Sequence, residues 1–184
     1  TDSINNFPAM SSISITIDTL YSTAKVSFDS SLKKDLWVLN DTEQESLGQI
    51  EPTINYLKSF KAVKDPCVIK SINNFPTAAG LASSASGVAS IVIAINEFFN
   101  LNLSEKELVD AAILGSGSAP RSLYPGFVHL NKKDYSCETI LDTNEWPLKI
   151  IICQTSSDKK LVSSREGMRI SKLTSSYYEA WVND

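Results

Sequence analysis

Two windows of small residues carry the groups that could do chemistry in this chain. NNFPTAAGLASSASG, Asn73 to Gly87, and GSGSAPRS, Gly115 to Ser122, together hold four of the seven glycines. Scarce glycine gathered in two places marks backbone that something approaches closely. In the first window the loop of Ala79, Gly80, Leu81, Ala82, Ser83 and Ser84 leads toward Val88, Ile91, Ile95 and Phe98/Phe99, an apolar stripe whose spacing predicts a helix. A loop entering a helix offers N–H groups and the positive end of the helix dipole, which together make an anion site. The hydroxyls of Ser83, Ser84 and Ser86 can touch phosphate oxygens or a magnesium ion. The spacing is not that of a Walker loop, which requires a lysine. Close helix-on-sheet packing accounts for the same small residues, so both readings stand.

The second window adds a cation. Ser116 and Ser118 flank Gly117, and Arg121 follows Ala119 and Pro120, so a guanidinium fork for a carboxylate or phosphate would sit beside two hydroxyl donors. The competing reading of Arg121 is a surface salt bridge. His129, the single histidine, falls inside a predicted strand and reads as structural; without it no histidine-based triad can form. Lys159-Lys160 after Asp158 reads as a solvated turn, and Trp37, Trp146 and Trp181 as core or interface.

The elements that must position these windows follow from periodicity. Ser14-Ile15-Thr16-Ile17-Asp18 alternates polar with apolar, and Lys25 to Phe28 and Leu36 to Leu39 are also β-rich, so the spacing predicts an antiparallel meander with SLKKD as a turn. Pro52 opens a helix to about Ala62, and Val68 to Ile72 is a strand feeding the first window. Ser104 and Glu107 form a capping-box pattern for a helix that should stop at Gly115. Phe127 to Leu130 and Leu148 to Cys153 read as strands, the second nearly all apolar and therefore central. Ser164 to Ile170 and Ser175 to Val182 read as helices, the last without a stop signal, so the chain is expected to end mid-domain.

The 184 residues, 42% hydrophobic, suffice for one substantial core, so the expectation is a single domain over 1–184. A formal charge of -4 argues against nucleic acid and anionic membranes as partners. Three cysteines, Cys67, Cys137 and Cys153, without a CxxC pair read as reduced thiols in a cytoplasmic protein. The longest apolar run, Val88 to Ile95, is far short of the ~20 residues of a membrane span, and no leader pattern opens the chain.

NNFPTAAGLASSASG and GSGSAPRSLYPGF resemble the diphosphomevalonate decarboxylases of the GHMP kinase superfamily. INNFPAMSSISITI is similar to that family's early L-P-x-N-S-S-I-S strand, and DKKLVSSREGM to its later K-K-x-x-S-S-x-x-G-M segment, so the resemblance runs along nearly the whole chain. It implies an α/β fold, an α+β two-layer sandwich of the GHMP kinase-like N-terminal, ribosomal protein S5 domain 2-like type, incomplete at both ends. It implies an enzyme that uses ATP and Mg2+ to phosphorylate the 3-hydroxyl of mevalonate 5-diphosphate, then expels phosphate and CO2 to give isopentenyl diphosphate. Ala79 to Ser84 would hold ATP, with Ser84 beside the metal and the transferred group; Ser116, Gly117, Ser118, Ala119 and Arg121 would hold the phosphorylated mevalonate, Arg121 facing its carboxylate. A homodimer is implied as well. Met10, Pro120, Pro125 and Arg165 replace the family's usual Asn, Cys, Gly and Thr, and no Arg stands near Pro52. The substrate-binding lysines and the catalytic aspartate of the family fall outside this sequence. An ATP-independent mevalonate 3,5-bisphosphate decarboxylase, a phosphomevalonate decarboxylase and a non-catalytic fragment are the alternatives.

Overall fold

A computed structural model of the chain describes residues 6–76, 81–153 and 162–183. Its strands are β1 (Ser12–Ile15), β2 (Ser22–Phe28), β3 (Leu36–Leu39), β4 (Thr42–Glu43), β5 (Cys67–Asn73), β6 (Phe127–Leu130) and β7 (Cys137–Leu141). Its helices are α1 (Glu51–Ser59), α2 (Ser83–Phe98), α3 (Glu105–Gly115), α4 (Ser164–Thr174) and α5 (Tyr178–Asn183). The strands form two sheets, β1-β6-β7 and β2-β5-β3-β4, against which helices pack, an α/β arrangement as expected.

The expected meander is overturned. β2 and β3 are not neighbours: β5 lies between them, antiparallel to β2 and parallel to β3. Cys67, Val68 and Ile69 are buried consecutively, so β5 is apolar on both faces and takes a central place. A parallel pair needs a crossover, and α1, between β3 and β5 in sequence, supplies it. β1 belongs to the other sheet, pairing Ser12 with Leu130 and Ile15 with Phe127. The central strand expected at Leu148 to Cys153 is also absent: these residues form no ladder, and Ile151 is 87% exposed. Apolar composition supplies no hydrogen-bond partner, and among the described residues none pairs with this run.

Two apolar clusters hold the elements together. The larger joins Val26, Cys67 and Ile69 of the sheet to Ile54 and Leu57 of α1 and to Val88, Ile91, Val92 and Ile95 of α2. The smaller places Val109 and Ile113 of α3 against Val128, Leu130 and Cys137. Helix α3 serves both, because Ala111 and Ala112 face the first cluster while Val109 and Ile113 face the second. Its start is fixed by the expected capping box: Ser104 Oγ accepts the Glu107 N–H, and the Glu107 carboxylate accepts the Ser104 N–H at 2.7 Å. Its end at Gly115 is set by contact. A Cβ there would stand 2.8 Å from Thr53 Oγ1 and from Val88 Cγ1, so only glycine lets α3 close on α1 and α2.

Candidate functional site

Helix α2 begins where the sequence places it, directly after the small-residue loop. Ala82 immediately before it has φ 53°, the left-handed region that a non-glycine residue adopts at a cost, and makes no side-chain cap. Among the described residues no side chain caps α2 from the Ala82 position, and a helix start is where backbone N–H groups and the helix dipole suit an anion. Ser83 and Ser84 are its first two residues, Ser84 exposed. Ala79 and Gly80 lie outside the described residues, as do Lys159 and Lys160.

In front of this helix start lies a cleft of about 1050 Å³. Leu81, Ala82, Ala85 and Ser86 form one wall, while Ser14 and Thr16 lead in from β1 and Ser118 and Arg121 close it from the second window. The two windows, well separated in sequence, thus face one space. Ser83, Ser84, Ser116, Gly117 and Ala119 are not among the lining residues. Ser116 reaches the site through its neighbour, its hydroxyl lying 3.3 Å from that of Ser118. Ala119 is fully buried and its N–H donates to the Ser116 carbonyl, which tightens the turn.

The glycine of this window answers to the protein itself. A Cβ on Gly117 would come within 2.2 Å of the Asn6 carbonyl oxygen. Asn6 is fastened there by its own side chain, whose Nδ2 donates to the Leu114 carbonyl at 2.6 Å. Gly87 has its nearest neighbour at 3.8 Å, ordinary contact. Gly115 and Gly117 are therefore explained by packing.

Arg121 sits in the 3-10 turn Ala119–Leu123, anchored by buried Ala119 and Pro120. Its guanidinium forms no salt bridge among the described residues. Nη1 donates to Ser12 Oγ at 2.6 Å, and Nε is enclosed without an acceptor. Burial lowers the arginine pKa, which leaves a desolvated cation without a counter-charge among the described residues. Nearby, burial pushes the Cys137 thiol up to about 11 although Arg121 pulls the other way, and pushes the Tyr124 hydroxyl up to about 12. Both stay protonated near neutral pH, so Arg121 is the charged group here. His129 points away: its ring is 4.0 Å from the Glu138 carboxylate, on the sheet face opposite Val128 and Leu130.

Ser12 and Ser14 were not singled out from the sequence. The signal was the alternation of β1, whose serines are half-buried, Ser14 lining the cleft and Ser12 bonded to Arg121, while Ile13 and Ile15 are exposed. A strand that turns its polar residues inward lines a polar site.

The family model for the diphosphomevalonate decarboxylase-like N-terminal domain matches residues 1–140. Diphosphomevalonate decarboxylases of Ganoderma lucidum and Danio rerio are each 37% identical, over 88% and 91% of this chain and 46% of theirs. The chain thus spans about half the length of the curated relatives it matches. Among solved structures, one of MDDEF in complex with MVAPP, AMPPCP and magnesium aligns with TM-score 0.83 at 35% identity, covering 99% of this chain and 58% of its own. The mevalonate diphosphate decarboxylase of Staphylococcus aureus aligns with TM-score 0.82 at 34% identity, covering 99% of this chain and 57% of its own.

Proposed function

Because the chain belongs to the family of diphosphomevalonate decarboxylase-like N-terminal domains, we propose that it supplies the nucleotide loop and the carboxylate clamp of a mevalonate 5-diphosphate decarboxylase. The reaction is phosphorylation of the substrate's 3-hydroxyl by ATP, followed by loss of that phosphate and CO2 to give isopentenyl diphosphate. The observation that carries this reading is the shared cleft, lined by Ala82, Ala85 and Ser86 at the start of α2 and by Ser118 and Arg121.

The chain's groups fit these roles. The start of α2, where the helix dipole is positive and Ser83 and Ser84 lie on the first turn, suits the phosphates of ATP. Arg121, desolvated and without a carboxylate partner in the described residues, suits the substrate's carboxylate. Ser116, Gly117, Ser118 and Ala119 complete that side, Ser118 by direct contact and the others by shaping the turn. Among the described residues no group of three His, Cys, Asp or Glu could hold a metal ion. Magnesium would therefore be held mainly by phosphate oxygens, with the Ser84 hydroxyl as this chain's contribution, and would supply charge neutralisation at the transferred group. Held by Arg121, the carboxylate is oriented so that the electron pair of the breaking C1–C2 bond can form the C2=C3 double bond as CO2 and the 3-phosphate depart. Donors fixed in advance suit an elimination in which charge builds on leaving groups.

A homodimer in the cytoplasm completes the reading. The free thiols Cys67, Cys137 and Cys153 support a reducing compartment, and sedimentation of the complete protein measures the assembly. The activity test incubates the complete protein with mevalonate 5-diphosphate, mevalonate 5-phosphate and mevalonate 3,5-bisphosphate, each with and without MgATP, and measures CO2. Release from the diphosphate only with MgATP is the expected result. Release from the bisphosphate without nucleotide, and from neither of the others with it, overturns ATP dependence.

A further inference from the structure

Arg121 and Ser12 are 109 positions apart in sequence and joined by one hydrogen bond, Nη1 to Oγ at 2.6 Å. It is the only hydrogen bond of this guanidinium among the described residues. With Nε sealed from solvent and without an acceptor among the described residues, the Ser12 contact at Nη1 is the one that sets the roll of the guanidinium plane there. An arginine side chain has many rotamers, and a fork reads a carboxylate only when its plane is fixed.

Ser12 is suited to that task by its place. It stands on β1, paired with Leu130 of β6, and the neighbouring Ser11 Oγ accepts the Lys132 N–H at 3.0 Å, which pins the start of the strand. The Ser12 side chain points to Arg121, on the strand face opposite Ile13. A group carried on a paired strand is held more tightly than one on a loop.

We propose that Ser12 is a positioning residue, whose hydroxyl fixes the orientation of Arg121 for the carboxylate of the substrate. The inference rests on the function proposed above, in which Arg121 takes that carboxylate. Ser12 touches no reacting atom and acts through Arg121.

The test uses the complete protein with Ser12→Ala, Ser12→Thr, Arg121→Lys and the Ser12→Ala/Arg121→Lys double variant. Ser12→Ala should lower kcat/KM for mevalonate 5-diphosphate about 10- to 100-fold, leave the KM for ATP within about twofold, and be largely rescued by Ser12→Thr. The double variant should lose little more than Arg121→Lys, since the two residues act as one unit. Unchanged kinetics in Ser12→Ala, equal rises in both KM values, or additive losses overturn the proposal. Should Ser12→Ala fail to fold, Ser12→Cys removes the strong acceptor at nearly constant size and is read in the same way. Nitrogen-15 NMR of the Arg121 side chain supplies a measurement independent of turnover. Faster rotation of the guanidinium in Ser12→Ala supports the proposal and unaltered rotation overturns it, even where wild-type protein releases no CO2 and the decarboxylase reading itself has failed.

Discussion

Lys58 and Asp35 form an ion pair at 2.9 Å, their side chains only 11% and 12% exposed. Lys58 Nζ also donates to the Asp65 carbonyl, and Asp35 accepts the Cys67 N–H at 2.7 Å, so the pair ties α1 to the start of β5. Breaking a buried pair strands the remaining charge. Asp35→Ala should destabilise the protein by about 3–5 kcal/mol, measured by urea unfolding, whereas a loss below about 1 kcal/mol would show that water compensates Lys58.

The glycines separate into those that touch and those that do not. Gly117→Ala forces a Cβ against the Asn6 main chain and should cost about 1–3 kcal/mol, visible as a lower Tm. Gly87→Ala, inside α2 where a Cβ would meet only Asn73 Oδ1 at 3.8 Å in ordinary contact, should stabilise by about 0.5–1 kcal/mol. A reversed order of these two Tm shifts would contradict the packing described for the second window.

Alkaline pH should weaken the fold. Burial raises Cys137 from 9.0 to about 11 and Tyr124 from 10.0 to about 12, so the folded state keeps protons that the unfolded chain releases. Stability from these groups is complete below pH 9 and is lost as pH climbs to about 12. Tyr124→Phe should flatten the part of that decline between pH 10 and 12, followed by chemical denaturation across the range. An unchanged slope in the variant removes Tyr124 from the account.

The α3 cap offers a smaller effect. Ser104→Ala removes the acceptor for the Glu107 N–H and should cost about 1 kcal/mol. Because Ser104 hydrogen-bonds the Glu107 carboxylate and lowers its pKa, the variant should also raise the Glu107 pKa, measurable by NMR titration.

Local signals were legible where one element determines its own form. The Ser104 box, the Pro52 start, the Gly115 stop and the strand-loop-helix path into α2 all follow from short-range chemistry. Pairing was not legible: Lys25 to Phe28 and Leu36 to Leu39 are good strands, but their partner β5 is set by burial far along the chain. Leu148 to Cys153 failed because hydrophobicity cannot name a ladder partner. Within the site, Arg121 was readable as a cation among hydroxyls, while Ser12 was invisible until β1 and β6 were paired. The tight approach to Gly117 was read correctly as closeness, but its source is Asn6 of the same chain.

The strand β1 sets two demands against one another. Hydrophobic burial alone favours turning Ile13, 62% exposed, inward and Ser12 outward, an exchange that a slip of one residue along β6 would achieve. Ladder pairing with β6 and the grip on Arg121 hold the less oily arrangement. β1 is therefore a locally frustrated segment, the place in this fold where misregistered folding intermediates should gather and where a more stable protein could be a less competent one.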